Sequence, residues 1–201
     1  MSALCSLSIV TTFKSKLDSD LAKIATPVES SFDDLSDLEV LVILLEDRRF
    51  FQHRGVDILS VAREIFKMCT FQQFGGASTI DMQFVRTRTG YKARSLKRKI
   101  YEMILAYLLQ SRMGKIKILR AYLQEVYLGS GLYGVESASQ VMFKKHRYEI
   151  NRNDAAIIAA MMVYPKPLFP LESWKKKVDR RAAYGLKLFA KYGERYKRRL
   201  D

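Results

Sequence analysis

The sequence predicts an all-α fold. Three observations carry that expectation. Apolar residues recur at i, i+3, i+4 and i+7 in several separate segments. Only 4 Pro and 10 Gly fall among 201 residues, too few turn formers for a many-stranded fold. No persuasive run alternates apolar and polar residues, and no repeat period is visible. Hydrophobic residues make up 48% and charged residues 28%, the composition of a chain that buries one core. This excludes a disordered tail and a collagen-like chain.

The elements follow in order. Residues 1–35 read as a weakly structured lead-in. Ser36 or Asp37 begins a helix that carries Leu38, Leu41, Val42 and Leu45 inward and ends near Glu46. A second helix spans Ile58 to about Cys69, with Ile58, Val61, Ala62, Ile65, Phe66 and Cys69 at helical spacing. Gly75-Gly76 breaks the chain, and Ser78-x-x-Asp81 reads as a capping box for a short helix. Thr87 to Ser95 reads as a basic loop. Helices follow at Leu96–Arg112, Ile116–Leu128, after Gly114, and Val135–Lys144, after the glycines of 129–134. Asn153 or Asp154 caps an apolar helix, Ala155–Val163, which Pro165 ends. A basic helix runs from about Leu171 to the C-terminus.

Charge narrows the function classes. Lys+Arg 35 minus Asp+Glu 21 leaves +14. Such a surplus implies an anionic partner: nucleic acid, a membrane surface or a phosphorylated substrate. Cys5 and Cys69 are too few for a disulfide framework and read as free thiols. The apolar run Ala3–Val10 is far short of the ~20 residues a bilayer span needs, and Leu38–Leu45 is no longer. Neither a membrane span nor a clear export signal is expected.

Two carboxylates stand out. Glu46 opens Glu46-Asp47-Arg48-Arg49-Phe50-Phe51-Gln52-His53-Arg54-Gly55 at the end of an apolar helix, where partial desolvation suits a carboxylate to proton transfer. The same stretch reads equally as a helix end with solvated charges. Glu102 lies mid-helix four residues after Arg98, which suits either a simple i, i+4 pair or one half of a catalytic pair. Between them run Arg86, Arg88, Lys92, Arg94, Lys97, Arg98 and Lys99, seven basic residues in fourteen and no acid. That stretch is either a solvated face or a clamp for phosphate or pyrophosphate, which guanidinium groups bind in a fork. No phosphate-binding glycine loop and no zinc spacing is present. Ser173-x-x-Lys176 lacks the companion motifs of penicillin-binding enzymes and reads as chance.

Glu46-Asp47-Arg48-Arg49-Phe50-x-x-His53-x-Gly55 resembles the first signature of the peptidoglycan glycosyltransferases, family 51 of the glycosyltransferases. Gly76-Ala77-Ser78-Thr79-Ile80-x-x-Gln83-x-x-Arg86 resembles the second, and Arg98-Lys99-x-x-Glu102-x-x-x-Ala106 the third. Lys117-Ile118-Leu119-x-x-Tyr122-Leu123, continuing to Tyr133-Gly134, is similar to the fourth. Ala138-x-Gln140-x-x-Phe143-x-Lys145 resembles the fifth. Ala155 to Ala159, Pro165-Lys166 and Arg180-Arg181 extend the match, in order, over about residues 32–190.

The resemblance implies a lysozyme-like helical head lobe with a smaller hydrophobic jaw lobe. It divides the chain into a lead-in, 1–31, and a catalytic domain, 32–201, with the jaw at about 56–74. It implies polymerisation of lipid II, an undecaprenyl-pyrophosphate disaccharide, into β-1,4 glycan strands with inversion at the anomeric carbon. Glu46 and Glu102 would be catalytic. Asp47, His53, Ser78, Thr79, Gln83, Arg86, Arg94, Arg98 and Lys99 would bind substrate, with Asp47 and His53 chiefly ordering the loop. No resident cofactor or metal ligand is implied, though a divalent cation, Mg or Mn, could accompany the pyrophosphate. The implied partners are a lipid-linked pyrophosphate sugar and an anionic membrane surface, with no nucleic acid. Peripheral residence on the extracytoplasmic face of the bacterial cytoplasmic membrane follows. With no transpeptidase domain in view, the enzyme would be monofunctional.

The sequence departs from the family pattern in places. Asp81 and Met82 replace Thr and Gln, Arg86-Thr87 replaces Lys-Asn, and Gln110 and Arg120 each stand where Glu is common. Gln124 replaces an Asn, and Tyr101 a basic residue. These changes leave room for another lipid-linked glycan as substrate, or for a non-catalytic scaffold. A basic helical nucleic-acid-binding protein is the alternative of another class, and a lysozyme-like lytic enzyme a further one.

Overall fold

The computed structural model describes residues 2–25, 34–70, 76, 78–91, 93 and 95–197. The described chain is built of helices and one short hairpin, in the all-α class expected.

The first helix, α1 (Ser2–Ile24), corrects the weakly structured lead-in. Leu17, Leu21 and Ile24 share one face, and they pack α1 against the helices α4 (Ile80–Thr89) and α5 (Leu96–Arg112). Asp20 accepts hydrogen bonds from Tyr91 Oη (2.8 Å) and Tyr101 Oη (2.9 Å), which ties α1 down by polar contacts absent from its own local sequence.

Helix α2 (Asp37–Glu46) is the central strut. Ser36 caps it in a box with Glu39, and every side chain from Leu38 to Leu44 is buried. It is covered by α8 (Arg152–Met161) and α9 (Glu172–Lys197). Buried Glu39 is answered by Arg120, Nε to Oε1 2.8 Å, so the departure at 120 has a structural partner. A 3₁₀ turn, Phe50–Gln52, and Gly55 then carry the chain away. Gly55 has φ +78°, and a Cβ there would lie 2.3 Å from the carbonyl oxygen of Ala106, so only glycine lets this loop lie on α5.

Helix α3 (Ile58–Cys69) is amphipathic, yet none of its described side chains is buried. Helix α4 is capped by Thr79 rather than Ser78: Thr79 Oγ1 accepts from Met82 N and donates to Gly55 O (2.6 Å), a long-range bond that spacing alone does not reveal. It runs to Thr89, so Thr87 and Arg88 belong to the helix and not to a loop. Helix α6 (Lys115–Glu125) stops before Leu128, because residues 127–129 pair as β1 (Tyr127–Gly129) with β2 (Leu132–Tyr133). Strands of three and two residues are too short to show alternation. Helix α7 (Gly134–Phe143) follows, and Asn151, not Asn153 or Asp154, caps α8 in a box with Asp154.

Candidate active site

Glu46 ends α2 on a side chain only 9% exposed. Its Oε2 accepts from Gln83 Nε2 (3.2 Å) and its Oε1 from Arg181 Nη2 (2.7 Å). Gln83 Oε1 in turn accepts from Tyr122 Oη (2.7 Å). Burial, reinforced by the Glu46 charge, raises the Tyr122 pKa, so this phenol stays a donor. Four elements, α2, α4, α6 and α9, therefore converge on one carboxylate.

Glu102 lies on α5 and is fully buried. Arg86 grips it with a fork, Nε to Oε1 3.0 Å and Nη2 to Oε2 3.1 Å, and Arg98 Nη1 also donates to Oε1. Lys99 Nζ donates to Ser78 Oγ (2.7 Å). Three cations, Arg86, Arg98 and Lys99, against one carboxylate leave two positive charges in a part-buried place. Burial chiefly, and then the neighbouring Arg86, hold the Lys99 pKa below its ordinary value, with Glu102 opposing the shift. Arg98 Nε is buried with no partner among the described residues. A cavity of about 710 Å³ opens on this cluster, with Arg86, Arg98, Gln124, Tyr127 and Tyr133 on its walls. With its surplus of guanidinium and ammonium groups, and with Glu125 as the one acid on the cavity wall among the described residues, the arrangement can receive an anion.

A second buried network gathers at the N-terminal end of α4. Asp47 accepts from Ile80 N (3.2 Å) and contacts His53 Nε2 at 2.9 Å, which fastens the loop after Glu46 to the start of α4. Lys115 Nζ donates to Asp81 Oδ2 (2.8 Å) and stands 3.3 Å from His53 Nδ1, while Gln110 Nε2 donates to Asp81 Oδ1 (2.7 Å). Asp47, His53 and Asp81 bring their ligand atoms within 4.8 Å of one another, a composition that could hold a metal. The Lys115 ammonium already supplies positive charge among them, and burial, only partly offset by Asp81, lowers its pKa. At Glu102 both oxygens face guanidinium groups, so the residues there do not fit a cation.

The outcome for each expected residue is then clear. Glu46 and Gln83 are brought together, as are Glu102, Arg86 and Arg98, and Ser78 meets Lys99. Asp47, His53 and Thr79 do not line the cavity: Asp47 and His53 fasten the loop after Glu46 to α4, and Thr79 caps that helix. Arg94 and Lys92 lie outside the described residues. Arg181, Tyr122 and Lys115 were not singled out as site residues. Arg181 had a signal in the Arg180-Arg181 pair and Tyr122 in the fourth motif, while Lys115 had none.

A family model described as Transglycosylase matches residues 25–189, over these elements and this site. The chain belongs to the transglycosylase family. Among relatives, it is 34% identical over 167 residues to a biosynthetic peptidoglycan transglycosylase of Shewanella denitrificans, covering 83% of this chain and 72% of that protein. It is 36% identical over 140 residues to penicillin-binding protein 1A of Aquifex aeolicus, and 34% identical over 156 residues to that of Clostridium tetani. Those matches cover 69% and 75% of this chain, but only 19% and 20% of the relatives. The transglycosylase match begins at residue 25, directly after α1.

Proposed function

We propose that this transglycosylase-family chain is a peptidoglycan glycosyltransferase acting on lipid II-type donors and acceptors. One observation carries the reading: α4 hands a partner to each carboxylate from adjacent turns, Gln83 to Glu46 and Arg86 to Glu102. A deprotonated Glu46, with one lone pair on each oxygen still free of Gln83 and Arg181, suits removal of a proton from the acceptor sugar's 4-hydroxyl. That oxygen attacks the donor's anomeric carbon. The bond from that carbon to the pyrophosphate oxygen breaks, the β-1,4 bond forms with inversion, and the undecaprenyl pyrophosphate leaves with the electron pair. Glu102, held between Arg86 and Arg98, acts by aiming these cations at the leaving pyrophosphate rather than by giving up a proton. A divalent cation, Mg or Mn, would arrive with the pyrophosphate and offset part of its charge.

The substrate lies in a bilayer, and no described helix is long and apolar enough to cross one. Peripheral attachment at the cell envelope is the reading that fits, with α3 as the jaw. Ile58, Leu59, Ile65 and Phe66 are 54–75% exposed on α3. The basic face of α9 adds charge near an anionic surface. Phe71 and Phe74 lie outside the described residues, and Met68 and Cys69 are described by backbone alone.

The test is incubation of the full chain with labelled lipid II in detergent, followed by gel separation. A ladder of glycan strands is the expected result. Unchanged lipid II under conditions where a known polymerase makes a ladder would overturn the proposal.

A further inference from the structure

A second cavity, of about 620 Å³, lies between α1 and α5 and shares only Arg98 with the chemistry above. Its volume falls within the ~300–1,000 Å³ of small-molecule sites. Phe13, Tyr91, Ile100, Tyr101 and Ile104 make its walls. Their placement is fixed: Phe13 packs edge-on to Tyr101 with centroids 5.9 Å apart, and both tyrosines donate to Asp20. Three cations also line it, namely Lys97, Arg98 and Lys16, whose Nζ stands 5.2 Å and 5.5 Å from the Tyr91 and Tyr101 ring centroids. Arg98, Gly90 and Tyr91 also line the cavity over Glu102, so the two spaces adjoin. Ile100 and Phe13 are 49% and 46% exposed, a cost for which core packing gives no reason.

A cavity with mostly apolar and aromatic walls and three cations among its lining residues matches a hydrocarbon chain with an anionic head. The shared Arg98 places that head beside the cavity over Glu102. We propose that this α1–α5 cavity takes the first isoprenyl units of the lipid carrier, next to its pyrophosphate. The inference rests on the proposed function for the identity of the head group. It gives α1, which precedes the family match, a part in holding substrate.

Isothermal titration of the full chain with farnesyl diphosphate and with inorganic pyrophosphate tests it. Farnesyl diphosphate is expected to bind at least about tenfold more tightly, since its chain buries apolar surface that inorganic pyrophosphate lacks. Ile100→Ser with Phe13→Ser should remove most of that difference and leave pyrophosphate binding unchanged. Ile100→Ser alone, at an exposed position, serves if the pair lowers the melting temperature. Leu96→Ser, on the same helix outside the cavity, should change neither. Equal binding of the two probes by the native chain would overturn the proposal, as would a chain-dependent difference that survives Ile100→Ser with Phe13→Ser. Displacement of farnesyl diphosphate by short-chain phosphatidylglycerol at equal affinity would also overturn it, by making the cavity a general lipid site. A chain that binds farnesyl diphosphate in this pattern but makes no glycan ladder supports the cavity while refuting the polymerase reading. A ladder without any chain-length effect refutes the cavity alone.

Discussion

Gln83 and Arg86 stand one turn apart on α4 and face the same way, the first donating to Glu46 and the second to Glu102. A helix fixes such a pair at ~5–6 Å between Cβ atoms, so α4 sets the spacing of the two carboxylate centres as a ruler would. Thr79, Asp47 and Gly55 pin the N-terminal end of that ruler.

Arg86→Lys should raise KM for the lipid-linked donor more than it lowers kcat. Lysine keeps the charge but loses the fork on Glu102, and a charged hydrogen bond contributes roughly 1.5–3 kcal/mol. Steady-state kinetics on labelled lipid II would show it, and an unchanged KM would place the pyrophosphate elsewhere.

Lys115→Met should destabilise the fold by about 3–5 kcal/mol, because Asp81 is fully buried and would keep only Gln110 as a partner. Adding Asp81→Asn should recover most of the loss. Urea unfolding of the single and double variants measures this. Equal stability of the single variant and the native chain would remove the network from the account.

Much of this was legible in the sequence, and the limits have physical causes. The bounds of α2, α3 and α5 follow from strong local signals: Ser36 as a cap, an amphipathic period, and Ser95 before a long helix. Glu46, Gln83, Arg86 and Glu102 were legible as motif members. Arg181 was not legible as the partner of Glu46, because 135 residues separate them and only the packing of α9 on α2 joins them. Helix α1 is not legible in its own segment, whose polar anchor, Asp20, meets Tyr91 and Tyr101 far along the chain. The basic run 86–99 looked free of acid in sequence, yet its Arg88 meets Glu125 at 2.6 Å, and Arg86 and Arg98 meet Glu102.

Alkaline pH should weaken the fold. Burial holds the pKa values of Tyr91, Tyr101 and Tyr122 above the ordinary 10.0. Their neutral forms stabilise the native state fully below that value. Above it the unfolded chain loses protons that the native chain keeps, so stability falls as pH rises. Tyrosinate absorbance should show a late-titrating fraction that appears together with loss of helical circular dichroism. Smooth titration of all tyrosines near pH 10 with the fold intact would contradict this.

Ile65→Ser with Phe66→Ser should weaken sedimentation with anionic vesicles several-fold without changing the melting temperature, since both side chains are exposed on α3. Binding should fall with salt. Equal sedimentation of native and variant chains would move the membrane contact off α3.

The central claim is that Glu46 accepts the acceptor's proton. Its most direct test is the polymerisation rate of Glu46→Gln on labelled lipid II, alongside its melting curve. The amide keeps the shape and one accepting oxygen, so it holds one of the two hydrogen bonds from Gln83 and Arg181 and regains the other only if the Gln83 amide turns over, and it cannot serve as a base. A normal melting curve and a rate lowered by ~10²–10⁴-fold, the contribution of a positioned general base, are expected. A normal melting curve with near-native turnover would contradict it.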